Sequence, residues 1–155
     1  MKTVRKWGHG PYSLAVIHGG PGAPGEMAPV ARELSTFTGV LEPFQTEMTL
    51  DGQVQELRAV LEQEAQAPAT LIGFSWGAFL SWMTAARYPM LVRKLILISS
   101  APFEESYAST ITRTRRARLS PAERAEAKDL IVKIDDPAAG EKDRILARFG
   151  IIMSH

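Results

Sequence analysis

The chain has 155 residues, a length that favours one domain and leaves little room for two. Hydrophobic residues make up 45% and charged residues 23%, as in an ordinary globular protein and unlike a disordered or collagen-like one. The net charge of +1 gives no general attraction to nucleic acid or anionic lipid, so we predict neither a nucleic-acid nor a membrane partner. The absence of cysteine excludes disulfides, thiolate metal sites and a cysteine nucleophile, and the expected location is the cytoplasm.

Short apolar runs alternate with helical patterns over the first two thirds of the chain. We predict strands at 13–17, 38–44, 69–74 and 94–99, and helices at 26–35, 51–65 and 76–88. The stretch 65–86 carries no charged residue, and we interpret it as a buried strand leading into a buried helix. Because each crossover returns the chain to the same end of the sheet, this order predicts an α/β fold with a parallel sheet and helices on both faces. Ligands would bind at the carboxyl ends of the strands.

Residues 105–155 lack the glycine-rich turns of residues 1–104, and we treat the two segments as separate parts of one structural unit. A capping box, Ser120-Pro121-Ala122-Glu123, predicts one helix. A second helix is predicted after Asp136-Pro137, with Gly150 as its end. An alternative places strands at 130–134 and 151–153, but the capping box and the spacing of apolar residues favour helices.

The third predicted strand and the helix after it enclose the pentapeptide Gly73-Phe74-Ser75-Trp76-Gly77, which fits G-x-S-x-G. In that motif a serine occupies a sharp strand-to-helix turn, and the two glycines leave room for the close approach of the backbone. The N-terminal amides of the following helix favour an oxyanion near the serine. The alternative is that Ser75 is only a small residue in a tight turn.

The first predicted strand ends in a second glycine-rich segment, His18-Gly19-Gly20-Pro21-Gly22. In a parallel sheet this loop lies at the same end as Ser75, and its backbone N–H groups could approach a ligand oxygen. Phosphate binding is the competing interpretation, but the lysine of a phosphate-binding loop is missing. We expect His18 to anchor the loop by hydrogen bonds and not to act as the base.

These two motifs resemble the α/β-hydrolase superfamily, and in particular its proline iminopeptidase-like branch, over residues 10–104. The resemblance implies that Ser75 is the nucleophile and that the backbone N–H groups of Trp76 and Gly20 form an oxyanion hole. It further implies that His18, Gly19, Gly73 and Gly77 support these loops. Residues 105–155 look like the start of the family's helical cap, so the chain is expected to end inside that cap as an incomplete α/β-hydrolase fold.

The acid and the histidine of a catalytic triad follow the serine in this fold. The histidine after Ser75 is His155, and the strand alternative would pair it with Asp135 or Asp136. Without a base to accept the serine proton, we expect this chain to react slowly or not at all with a fluorophosphonate probe.

The sequence therefore predicts a serine hydrolase that acts on a small ester or short peptide amide, without a cofactor or metal ion, and that forms a homodimer. The alternative is a non-catalytic α/β module that binds a ligand or partner. A basic run of Arg113, Arg115, Arg116 and Arg118 either binds phosphate or an acidic partner, or is a solvated face.

Overall fold

A computed structural model describes residues 3–20 and 23–154, without the side chain of Thr112. The chain divides into two compact units, Met1–Ala101 and Pro102–His155. The division falls close to the compositional change that the sequence shows near residue 104.

The first unit contains a five-stranded sheet in the order β1-β3-β2-β4-β5. The strands are β1 (Val4–Trp7), β2 (Tyr12–Ile17), β3 (Gly39–Pro43), β4 (Ala69–Phe74) and β5 (Val92–Ile98). The pairs β2–β3, β2–β4 and β4–β5 are parallel, as predicted. The edge strand β1 pairs with β3 in the antiparallel direction, so the sheet is mixed.

Three helices, α1 (Ala28–Leu34), α2 (Leu50–Glu64) and α3 (Trp76–Arg87), cover both faces of this sheet. Val54, Leu57 and Leu61 of α2 pack with Leu80 of α3 on one face, against Ile17, Leu41 and Leu71. Met27 and Ala31 pack on the other face, against Val16, Val40 and Ile72. The alternation of neighbouring strand residues between the two clusters confirms the predicted α/β layering. Thr49 caps α2 by accepting a hydrogen bond from the Gly52 N–H.

The second unit is helical, with α4 (Glu105–Arg118), α5 (Pro121–Asp135) and α6 (Lys142–Met153). The predicted capping box is present, with reciprocal bonds between Ser120 and Glu123. A small core forms where α5 meets α6, from Leu119, Ala127, Leu130 and Ile152. Arg148 of α6 makes a two-pronged ion pair with Glu126 of α5, at 2.7 and 2.8 Å.

One alternative and two expectations from the sequence need correction. Residues 130–134 and 151–153 lie in helices, so the alternative that placed strands there is wrong. The last helix does not start directly after Asp136-Pro137, where the sequence predicts its start. The Asp136 carboxylate accepts the Ala138 N–H in a turn, and α6 begins at Lys142. It continues through Gly150 to Met153, because Ile152 is buried in the core of the unit and its packing outweighs the weak helix propensity of glycine.

The uncharged stretch 65–86 is divided between β4 and α3, as interpreted from the sequence. In the part of the chain that the structure describes, no helix is long and apolar enough to cross a membrane.

Candidate active site

Ser75 occupies the turn between β4 and α3. Its backbone has φ +52° and ψ −116°, a conformation that non-glycine residues adopt only when the surroundings enforce it. The Ser75 N–H donates to the Ile98 carbonyl of the neighbouring strand at 2.9 Å, and the Ser75 carbonyl accepts the Ala78 N–H at 3.0 Å. Both bonds fix the strained turn at the carboxyl end of β4, where a G-x-S-x-G motif forms its strand-to-helix turn.

The two glycines of the pentapeptide are required by backbone contacts. A Cβ added to Gly73 would lie 2.3 Å from the Gly77 carbonyl oxygen. A Cβ added to Gly77 would lie 2.3 Å from the Ile17 carbonyl oxygen and 2.5 Å from that of His18. These neighbours are backbone atoms and have little freedom to move. Glycine at 73 and 77 therefore lets the first turn of α3 pack against β4 and the end of β2.

The loop after β2 lies directly beside Ser75. A Cβ added to Gly19 would be 3.2 Å from the Ser75 Cβ and 3.2 Å from the Phe74 ring. The Gly19 N–H donates to the Glu26 carboxylate at 2.8 Å, which anchors the loop. The two glycine-rich motifs, separate in sequence, thus meet at one end of the sheet.

The backbone N–H groups of Gly20 and Trp76 are the candidates for an oxyanion hole. Gly20 follows the anchored Gly19, has φ +30°, and has no described atom within 4 Å of the position of an added Cβ. Trp76 is the first residue of α3, and first-turn amides have no acceptor within their own helix. The Gly19 N–H already donates to Glu26, so Gly20 and Trp76 are the better candidates.

The Trp76 side chain extends away to α2. Its Nε1–H donates to the Gln53 Oε1 at 2.8 Å, and Gln53 Nε2 donates to the Glu47 carbonyl at 2.9 Å. Gln53 is buried, so these bonds satisfy polar groups that would otherwise be costly. They tie the start of α3 to the start of α2.

Both ring nitrogens of His18 are engaged. The Gln45 backbone N–H approaches His18 Nε2 at 3.3 Å, and an N–H can only donate, so Nε2 is the acceptor. The proton therefore resides on Nδ1, which donates to the Gly19 carbonyl at 2.8 Å. Gln45 Nε2 also donates to the His18 carbonyl at 2.8 Å. His18 is fully buried and holds the loop in place, in the manner expected from the sequence.

The two remaining candidates for acid and base belong to the other unit of the chain. Asp135 is the last residue of α5 and belongs to the second unit. His155 lies outside the described residues. Within the described ranges, no group of three or more His, Cys, Asp or Glu side chains could hold a metal ion.

Sequence reasoning missed Glu26, Gln45 and Gln53, which support the site through hydrogen bonds. Glu26 begins a predicted helix and Gln45 follows a predicted strand, and neither residue belongs to a motif. Gln53 is a polar residue at helical spacing from Leu57 on the buried face of α2, and that spacing is the signal that could have revealed it.

Known proteins resemble this chain in sequence and in fold. A family model described as the alpha/beta hydrolase fold matches residues 19–127. Epoxide hydrolase 4 of mouse is 32% identical, and that of human 34% identical, over 50 residues, which are 32% of this chain and 14% of each relative.

Solved structures show the same fold. The crystal structure of VinJ has a TM-score of 0.72 and 22% identity, covering 93% of this chain and 54% of VinJ. A Bacillus megaterium epoxide hydrolase in complex with an inhibitor has a TM-score of 0.61 and 19% identity, covering 96% of this chain and 56% of that enzyme. The chain thus spans about half the length of these two proteins. Because the family model matches more than half of its residues, the chain belongs to the α/β-hydrolase fold family.

Proposed function

We propose that the protein is a serine hydrolase in which Ser75 attacks a small ester or a short peptide amide and forms an acyl-enzyme. The observation that carries this proposal is the contact between the Ser75 turn and the loop after β2, where the Gly19 Cβ position lies 3.2 Å from the Ser75 Cβ. A nucleophile and a glycine-rich loop with N–H donors side by side are the two parts that acyl transfer needs.

In the proposed reaction the Ser75 Oγ bonds to the carbonyl carbon, and the carbonyl electron pair moves onto oxygen. The Gly20 and Trp76 N–H groups would donate to this oxyanion. When the carbonyl re-forms, the alcohol or amine leaves with a proton, and water then releases the acid from Ser75. Fixed donors of this kind each contribute about 10²-fold or more to the rate.

The serine proton must go to a base, and His18 is an unsuitable one because both of its ring nitrogens are occupied. The resemblance to the α/β-hydrolase superfamily assigns this role to a histidine after Ser75. No described residue after Ser75 is a histidine, so we propose that the chain reacts slowly without an added base, since loss of the base of a triad costs about 10⁶ in kcat. A small external base should restore part of the reaction.

Assignment to the proline iminopeptidase-like branch is part of the same proposal. It is supported by the segment His18-Gly19-Gly20-Pro21-Gly22, in which Gly19 lies beside Ser75. Pro21 and Gly22 lie outside the described residues.

The test is covalent labelling with an alkyl fluorophosphonate, with and without added imidazole. The Ser75 oxygen would bond to phosphorus, fluoride would leave, and imidazole would take the proton. We expect peptide mapping to find the adduct on Ser75, formed faster with imidazole, and absent in Ser75→Ala. Ser81→Ala is the matched control, since Ser81 lies in the same helix with its hydroxyl committed to the Gly77 carbonyl at 2.6 Å.

A label that is spread over several serines, or that does not form on Ser75 even with imidazole, would contradict the proposal. It would favour the alternative of a non-catalytic module that keeps the fold and binds a ligand.

A further inference from the structure

The second unit carries two adjoining hollows that share two arginines. The smaller is an open recess of about 410 Å³ lined by Ser109, Arg113, Arg116, Ala117 and Arg124. The larger is a cavity of about 670 Å³ that Arg116 and Arg124 also line. Volumes of this size are typical of sites for small organic ligands.

The larger cavity has an apolar wall and a cationic margin. Its apolar lining comes from α5 and α6 and includes Leu119, Ile131, Phe149 and Met153. Arg115 and Lys128 join the two shared arginines at the margin. None of the described residues that line either hollow is acidic.

The cations that line the two hollows form no ion pair with another described residue. The described ion pairs of the second unit involve Arg144 and Arg148. Arg124 donates from Nε to the Leu119 carbonyl at 2.9 Å, which holds its guanidinium group at the junction. The Nη groups of Arg124 and the whole guanidinium group of Arg116 remain to bind an anion.

From this arrangement we infer a binding site for a single-chain amphiphile with an anionic head group. The head group lies in the recess between Arg116 and Arg124, and the hydrocarbon chain extends along the apolar wall of the larger cavity. A wholly polar anion would leave Ile131 and Phe149 in water, and a wholly apolar ligand would leave the clustered arginines without a counter-charge. The inference does not depend on the proposed reaction at Ser75.

Binding is tested on the full 155-residue chain by calorimetry, with three probes kept below the critical micelle concentration. Dodecanoate has both the anionic head and the chain, dodecyltrimethylammonium has the same chain with a positive head, and acetate has the head alone. We expect equimolar binding of dodecanoate, at least tenfold tighter than that of either other probe. The cationic probe cannot form the charge-assisted hydrogen bond to arginine, which is worth about that factor, and acetate lacks the hydrocarbon chain that the apolar wall would bury.

Substitutions of residues that line the two hollows test where dodecanoate binds. Arg116→Gln should weaken dodecanoate about tenfold and leave dodecyltrimethylammonium unchanged. Ile131→Gln, at an exposed position of the cavity wall, should weaken dodecanoate as well. Arg144→Gln is the matched control, because Arg144 lies on α6 in an exposed pair with Glu141, and it should bind dodecanoate normally. Circular dichroism establishes that each variant is folded.

Three results would overturn the inference. Equal affinity for dodecanoate and dodecyltrimethylammonium would show that the arginines do not recognise the head group. If acetate bound as tightly as dodecanoate, the apolar wall would contribute nothing to binding. Binding to phosphatidylglycerol vesicles without binding to monomeric dodecanoate would mean that the arginines recognise a lipid surface and that the cavity holds no ligand.

Discussion

Gly77 lies so close to Ile17 that a Cβ on the glycine would come within 2.3 Å of the Ile17 carbonyl oxygen. This contact joins the first turn of α3 to the end of β2, and so joins the two glycine-rich motifs. The loop that starts at His18 can lie beside Ser75 only because the helix approaches the strand this closely. The position of the candidate nucleophile therefore depends on a packing contact as much as on the local turn.

Substitution of Gly77 tests this dependence. We expect Gly77→Ala to lower the free energy of unfolding by on the order of 3 kcal/mol, because the added methyl group collides with backbone atoms. Urea unfolding measures the change. The matched control is Gly150→Ala, where an added Cβ meets nothing within 4 Å and the residue lies inside α6. There the expected change is a gain of about 0.5–1 kcal/mol, and an equal loss in both variants would refute the argument.

The hydrogen bond between Trp76 and Gln53 should make the effects of these two residues on the free energy of unfolding depend on each other. Trp76→Phe removes the donor and leaves the buried Gln53 oxygen unsatisfied, at a cost of about 1–3 kcal/mol. Gln53→Leu leaves the Trp76 N–H without its acceptor. We expect the double variant to lose less stability than the sum of the two single losses, as a double-mutant cycle in urea would show. Simple additivity would mean that the bond does not form in solution.

Acid should weaken the contact between α5 and α6. The hydrogen bond from Arg148, more than its charge alone, holds the pKa of Glu126 below the ordinary value of 4.5. A carboxylate with a lowered pKa in the folded state stabilises the fold above its unfolded pKa, and this contribution disappears as the pH falls through the folded pKa. We therefore expect Arg148→Met to lower the Tm at pH 7 and to have a smaller effect at pH 3. An effect of the same size at both pH values would count against the pairing.

Helix α6 also offers a control for this experiment. Arg144→Met removes a more exposed pair with Glu141 and should change the Tm less at pH 7, because solvent weakens such pairs.

Self-association remains a prediction, and β5 is the place where we expect it. This strand lies at the edge of the described sheet, and Ile96, Leu97 and Ile98 are each about 40% exposed. Antiparallel pairing of two copies centred on Leu97 would place Ile96 opposite Ile98, with Lys94 opposite Ser100 and not opposite another cation. Sedimentation should therefore show a dimer that Leu97→Lys disrupts, whereas a monomer at high concentration would contradict the prediction.

The strands and helices that could be predicted are those whose pattern of apolar residues fits only one type of element. The continuous apolar run of β4 and the helical spacing in α2 each indicate one structure, and both elements were located to within a residue or two. Strand β1 was not predicted, since Arg5 and Lys6 hide its pattern and its pairing with β3 bridges a long stretch of sequence. Local pattern cannot reveal such a partner.

The candidate site likewise contains residues that the sequence could predict and residues that it could not. Ser75, Gly73 and Gly77 follow from a motif because the strain of the turn leaves few residue types that fit. Glu26 and Gln53 act through hydrogen bonds to residues brought near by the fold, so their role depends on tertiary contacts that the sequence does not display.

A crystal structure of the Ser75 phosphonate adduct tests the central claim most directly. If Ser75 is the nucleophile beside an oxyanion hole, the phosphoryl oxygen of the adduct will lie about 3 Å from both the Gly20 and the Trp76 nitrogens. The Gly19 N–H will still donate to Glu26. A phosphoryl oxygen that points to solvent, out of hydrogen-bond distance of both nitrogens, would contradict the proposed role of this site.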